Sequence, residues 1–119
     1  MIEERLRQSE ISEEFRVIEG FLDDTLPDFP DRPIAFLHLD VDLYPGYHAG
    51  LMHLFPKVAK GGLILFDEYR EFPNLPEYEF GMVEKWPGCT RAVDEYLAAL
   101  SDPPELLYHP ETKKYYLIK

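Results

Sequence analysis

The sequence predicts an α/β domain built on a mainly parallel sheet that ends in an antiparallel hairpin. Three observations lead there. Ile34–Leu39 and Leu63–Phe66 are short, almost continuously apolar runs, the pattern of strands covered on both faces. Between them Tyr47, Leu51, Leu54, Phe55 and Val58 recur at the spacing of one helical face. Toward the end of the chain, Glu105–Tyr108 and Tyr115–Ile118 flank a polar turn in the manner of a hairpin. Strand, helix, strand, helix, strand is the order of an α/β domain.

Taken in order, residues 1–14 are charge-rich with sparse apolar points at Ile2, Leu6 and Ile11, and are read as a helix or a ragged terminus. Phe15–Glu19 is a short, partly apolar candidate strand closed by Gly20. Pro27, Pro30 and Pro33, set among aspartates, make residues 23–33 a loop. The run from Ile34 ends directly in Asp40. Pro45 suits the first turn of the helix that follows, and Pro56 stops that helix near Phe55. Gly61-Gly62 supplies a turn into the second strand, which runs into Asp67-Glu68. Residues 70–86 form a long connection. After Pro87-Gly88, the positions Ala92, Val93, Tyr96, Leu97 and Leu100 mark a second amphipathic helix, stopped by Pro103-Pro104.

Composition narrows the function. At 119 residues the chain is read as one domain or part of one, able to remove roughly 65% of its unfolded surface from water. Acidic residues outnumber basic ones 23 to 12, for a net charge of -11, which argues against nucleic acid and anionic membranes as partners. Cys89 is the only cysteine, so no internal disulfide can form. No apolar stretch is long enough to span a membrane, and the first residues do not resemble a signal peptide. A cytoplasmic location is expected. No two of the seven glycines stand as Gly-x-Gly, so neither a dinucleotide fingerprint nor a P-loop is present.

The chemistry concentrates where two apolar strands end in acids, Asp40-Val41-Asp42 and Asp67-Glu68. Open α/β sheets bind ligands beyond the carboxyl ends of their strands. The connection from 41 to 61 holds one helix, enough for a right-handed crossover that sets the two strands parallel and adjacent. Neighbouring carboxylates raise each other's pKa unless a cation lies between them, so the arrangement suits a divalent ion such as Mg²⁺. Acids that merely cap loops on an acidic protein are the plainer alternative.

Four segments resemble the macrocin O-methyltransferase family: His-Leu-Asp-Val-Asp-Leu-Tyr at 38–44, Leu-Phe-Pro-Lys-Val at 54–58, Gly-Gly-Leu-Ile-Leu-Phe-Asp-Glu-Tyr at 61–69 and Pro-Gly-Cys-Thr-Arg-Ala-Val-Asp-Glu-Tyr at 87–96. Glu19-Gly20-Phe21 and Asp24-Thr25-Leu26-Pro27 fit as well, so the resemblance covers about residues 15–119. It implies the later part of a Rossmann-like methyltransferase fold, a single truncated domain without the family's N-terminal glycine-rich strand, turn and helix. Residues 15–20 would correspond to its third strand. The family's activity is transfer of a methyl group from S-adenosylmethionine to a hydroxyl of a small molecule such as a sugar, assisted by Mg²⁺. Carried over, Asp40, Asp67 and Glu68 are the metal ligands, Asp40 or Asp42 the general base, and Gly20, Phe21 and Asp40 the cofactor-binding residues. Glu68 stands where the family usually has Asp, and Val41 where it usually has glycine.

Other residues carry weaker expectations. Tyr78, Phe80, Met82 and Trp86 would form an acceptor lid or cover the sheet edge. His38 is expected to be buried and hydrogen-bonded, His48 and His53 solvated, Cys89 buried or capping, and Tyr44 in the core or shaping the acceptor pocket. Strand 34–40 would expose an apolar edge, to be covered by residues 15–20 or, as a homodimer, by a second chain. Two readings compete with the enzymatic one. One is a non-catalytic, self-associating module on a methyltransferase-like fold. The other is a nucleotide-sugar glycosyltransferase using Asp40-x-Asp42, which leaves Asp67-Glu68 unexplained.

Overall fold

In the computed structural model, which describes residues 15–70 and 87–119, the two strands that end in acids lie side by side and parallel. β1 (Ile34–Leu39) meets β2 (Val58–Phe66) with His38 opposite Leu65 and Leu39 opposite Phe66. The hairpin of β3 (Leu107–His109) and β4 (Lys114–Ile118) joins antiparallel through β4, giving the sheet order β1-β2-β4-β3. The predicted α/β class, with a parallel pair and a C-terminal antiparallel hairpin, matches this sheet.

Helices pack on one face of it. α1 (Leu22–Thr25) is a single turn that continues into a 3₁₀ turn at Leu26–Asp28. α2 (Tyr44–Leu54) carries Pro45 in its first turn, where a missing N–H costs nothing. It gives way at Phe55–Lys57 to a 3₁₀ turn holding Pro56, as the sequence predicts. Tyr47, Leu51, Leu54, Phe55 and Val58 are all buried. α3 (Pro87–Ala98) buries Cys89, Ala92 and Val93 beside α2. Leu39, Ile64, Phe66 and Leu117 complete the core from the inner face of the sheet. Each such aliphatic or aromatic side chain contributes about 1.5–3 kcal/mol by leaving water.

Three expectations need correction. β1 is not covered on both faces: Leu37 and Leu39 are buried, but Phe36 on the other face is 57% exposed. Its alternating pattern follows from the pleat, because the described helices cover one side only. Phe15–Glu19 does not form a strand, and it leaves Phe15, Val17 and Ile18 exposed. It therefore does not cover the edge of β1, whose partner among the described residues is β2. Finally, Gly61-Gly62 is not a turn before the strand but a bulge inside it. Ile34 pairs with Val58 and Phe36 with Leu63, so β2 takes extra residues there. Gly61 adopts φ +85, and a Cβ on Gly62 would stand 2.7 Å from Val58 Cγ1 and 2.8 Å from the Ala59 carbonyl. The expectations for residues 1–14 and for the aromatic lid at 71–86 lie outside the described residues.

Candidate functional site

The parallel register carries the chain ends of β1 and β2 out of the sheet together. The Asp67 N–H donates to the Leu39 carbonyl at 2.9 Å, which holds Asp40 and Asp67 side by side at the carboxyl rim. Side chains alternate along β2, so Asp67 falls on the outer face with Leu65 and Glu68 on the inner face with Phe66.

Glu68 is the one charged side chain in the core among the described residues, at 2% exposure. Its Oε1 accepts the Asp42 N–H at 2.9 Å and its Oε2 accepts the Tyr47 hydroxyl at 2.8 Å. Asp42 sits at φ +61, a left-handed conformation that aspartate tolerates better than most residues, and from there its N–H faces Glu68. The Tyr47 hydroxyl is also 2.8 Å from the Leu39 carbonyl and accepts the Glu68 N–H at 3.3 Å. Burial pushes the Glu68 carboxyl up to about 7; the Asp42 N–H and the Tyr47 hydroxyl oppose that rise, while Asp40 and Asp42 add to it. The Tyr47 phenol is raised, first by burial.

On the outer face, Asp67 Oδ1 lies 3.3 Å from His38 Nε2, and Lys114 Nζ stands 3.6 Å from Oδ2. Lys114 also donates to the Asp67 carbonyl at 2.8 Å. Two sets of side chains could hold a metal ion, with donor atoms within 4.8 Å of one another: Asp40, Asp42 and Glu68 inside, and His38, Asp40 and Asp67 outside. Asp40 belongs to both. The three ligands expected from the sequence are thus split between two faces, with Asp40 between them and Asp42 joining the inner set.

Gly20 and Phe21, expected at the cofactor, line an open cavity of about 320 Å³ with Asp23, Val41 and Gly46. Val41, the residue between Asp40 and Asp42, makes this cavity a neighbour of the acids. Phe21 is 82% exposed there.

The rim is tied to α3 at two points. The Tyr69 hydroxyl donates to Asp94 Oδ1 at 2.6 Å, and the Arg70 N–H to Thr90 Oγ1 at 3.1 Å. Tyr44 at the start of α2 donates to Glu95 Oε2 at 2.7 Å, and its ring lies under the Arg91 guanidinium. Tyr44 is therefore half-buried against the core, as one of the two expectations had it, and clamps the two helices. His38 is hydrogen-bonded but not buried as expected: its side chain is 39% exposed, because it lies on the face of β1 away from the described helices. His48 is exposed and stacks on Tyr44, and His53 is half-buried. Cys89 is fully buried.

Two participants went unread in the sequence. Tyr47 counts there only as an apolar position, yet a buried phenol must find hydrogen-bond partners. Lys114 is hidden until the hairpin register sets it opposite Asp67.

The Macrocin-O-methyltransferase (TylF) family model matches residues 2–100. Demethyldecarbamoylnovobiocin O-methyltransferase of Streptomyces niveus is 34% identical over 97 residues, which are 82% of this chain and 32% of that protein. The 8-demethyl-8-(2,3-dimethoxy-alpha-L-rhamnosyl)-tetracenomycin-C 4'-O-methyltransferase of Streptomyces olivaceus is 34% identical over 59 residues, 50% of this chain and 23% of that one. Among solved structures, the O-methyltransferase NovP superposes with a TM-score of 0.79 at 29% identity, over 99% of this chain and 43% of NovP. The chain spans about a quarter to a third of the length of these curated relatives.

Proposed function

The chain belongs to the macrocin O-methyltransferase family, and on that premise we propose that it serves methyl transfer from S-adenosylmethionine to a hydroxyl of a small molecule, a sugar or a sugar-bearing natural product. The observation that carries this reading is Asp40, whose carboxylate is shared by two donor sets at the carboxyl rim of the sheet.

A divalent cation, Mg²⁺ in this reading, would be held by Asp40, together with Asp42 and Glu68 on the inner face or with Asp67 on the outer one. The inner donor set fits such an ion. The inner group offers only carboxylate oxygens, drawn close enough that their mutual repulsion favours a cation or a proton among them. When bound, the ion supplies positive charge that lowers the pKa of an acceptor hydroxyl. S-adenosylmethionine supplies an electrophilic methyl group on sulfur.

The chain's own residues then divide the work. Asp40 and Asp42 are exposed and can take the proton that the hydroxyl loses as its oxygen becomes an ether. Glu68 is held in one orientation by the Asp42 N–H and the Tyr47 hydroxyl, which keeps the inner donors fixed. Gly20 and Phe21 line the cavity proposed for the cofactor's adenosine end. The bonds from Tyr69 and Arg70 to α3 hold the rim in register with that helix.

These 119 residues alone have little activity, since they correspond to 43% of the NovP fold. The edge of β1, unpaired among the described residues, pairs with a second copy to form a homodimer. The acidic, cysteine-poor chain works in the cytoplasm. A self-associating module without catalysis is the second reading, favoured by the same edge.

Calorimetry with S-adenosylmethionine in the presence of Mg²⁺ separates the two. Measurable affinity, lost in Asp40→Asn, supports the enzymatic reading. Self-association without affinity for S-adenosylmethionine supports the module instead.

A further inference from the structure

The outer donor set contains an imidazole that a purely carboxylate centre does not need. We propose that His38 is a nitrogen ligand of the metal centre, forming with Asp40 and Asp67 a position suited to a first-row transition ion of the Co²⁺ or Zn²⁺ kind. This rests on the reading above of Asp40 and Asp67 as metal-holding residues.

The topology forces these three groups together. His38 and Asp40 are two residues apart in an extended segment, so they share a face. His38 pairs with Leu65 and Leu39 with Phe66, so the parallel register carries Asp67 alongside Asp40. That face lies away from the described helices, with His38 39% and Asp67 31% exposed at their side chains, which leaves room for further ligands.

The His38–Asp67 separation agrees with a shared ion, and Asp40 lies within 4.8 Å of both. Two ligands each about 2.1 Å from one ion, at octahedral or tetrahedral angles, stand roughly 3.0–3.4 Å apart. His38 Nε2 and Asp67 Oδ1 are 3.3 Å apart. A direct hydrogen bond between them has the same length, and the experiment below tells the two apart.

Charge explains the choice of ion. Lys114 Nζ beside Asp67 Oδ2 offsets part of the outer negative charge and leaves Oδ1 on the His38 side. A hard ion such as Mg²⁺ depends on anionic oxygens and gains little from imidazole, whereas imidazole favours borderline ions. The inner set, made of oxygens only, stays the harder side of the centre.

The test titrates Co²⁺ and Mg²⁺ separately into the full chain, its His38→Gln variant and its Asp40→Asn variant. The ¹H NMR spectrum of the Co²⁺-loaded protein is recorded for hyperfine-shifted imidazole N–H signals. Loss of His38 is expected to weaken Co²⁺ about tenfold or more while changing Mg²⁺ by less than about threefold, and to remove a shifted imidazole signal. If His38→Gln leaves Co²⁺ affinity and that signal unchanged, the inference is overturned. Mg²⁺ binding that still depends on Asp40 would then leave the metal centre itself standing. If neither ion binds the unaltered chain, inference and centre fall together.

Discussion

Replacing Tyr47 with phenylalanine removes one oxygen atom from the point where the fold and the candidate site meet. The ring stays, fully buried against Phe66, so packing is preserved. Three partners lose the hydroxyl: the Leu39 carbonyl, Glu68 Oε2 and the Glu68 N–H. They are not equally hurt. The Leu39 carbonyl keeps the Asp67 N–H, and Glu68 Oε1 keeps the Asp42 N–H. Glu68 Oε2 and the Glu68 N–H are left without this partner in a site closed to water. Leaving a buried donor or acceptor unpaired costs about 1–3 kcal/mol, so Tyr47→Phe should cost about 1–3 kcal/mol. Because the Tyr47 bond favours the ionised carboxylate, its loss also raises the pKa of Glu68 further and weakens binding of a divalent cation. Urea unfolding followed by circular dichroism reads the first effect and Mg²⁺ calorimetry the second. Tyr108→Phe, at an exposed ring, serves as the control and should stay within about 0.5 kcal/mol. A Tyr47→Phe protein as stable as that control, or one that binds Mg²⁺ more tightly, would refute the role given to the phenol.

Other expectations follow from the same geometry. The Glu68 carboxyl rises from 4.5 to about 7 on folding, so between those values the folded chain holds a proton that the unfolded chain has released. Stability from this group is therefore complete below the lower value and is lost as pH rises through the upper one, with a slope of at most about 1.4 kcal/mol per pH unit. Urea midpoints measured across that window in metal-free buffer should fall with pH, and Glu68→Gln should flatten the trend. Gly62→Ala places a methyl group against the Ala59 and Ile34 carbonyls at the bulge and should destabilise by about 1–3 kcal/mol in thermal unfolding. Tyr69→Phe removes the donor to Asp94 and should cost about 1–2 kcal/mol by the same urea assay, with hydrogen exchange quickening around Asp94 in α3.

Much of the fold is legible before any coordinates. The spacing from Tyr47 to Leu54 identifies the buried face of α2, though Val58, expected on the same helical face, opens β2, and the apolar runs ending in Asp40 and Asp67 locate two adjacent parallel strands. The hairpin follows from the polar turn between two short aromatic stretches. What escapes has physical causes. Apolar composition at Ile34–Leu39 reads as burial on both sides, but whether a second layer covers a sheet face depends on residues distant in sequence. Phe15–Glu19 has strand composition, yet a strand exists only with a partner edge. Gly61-Gly62 carries the same permissive backbone in a bulge as in a turn, and only the pairing partner distinguishes them.

The site was legible in its acids and less so in its geometry. Alternation along β2 already dictates that Asp67 and Glu68 leave on opposite faces, so two donor sets joined by Asp40 were implicit in the spacing. Tyr47 and Lys114 were not, because each acts through a register that only the folded sheet supplies. His38 shows the converse error. An imidazole within an apolar run reads as core, whereas its parity with Asp40 puts it on the open face.

A Mn²⁺-soaked crystal of the full chain, examined by anomalous diffraction, bears most directly on the idea that Asp40 anchors a cation at the sheet rim. A peak about 2.0–2.3 Å from an Asp40 carboxylate oxygen, with a further ligand from Asp67, Glu68 or His38, is the expected result. Mn²⁺ bound elsewhere, with the Asp40 carboxylate out of reach of any ion, would contradict it.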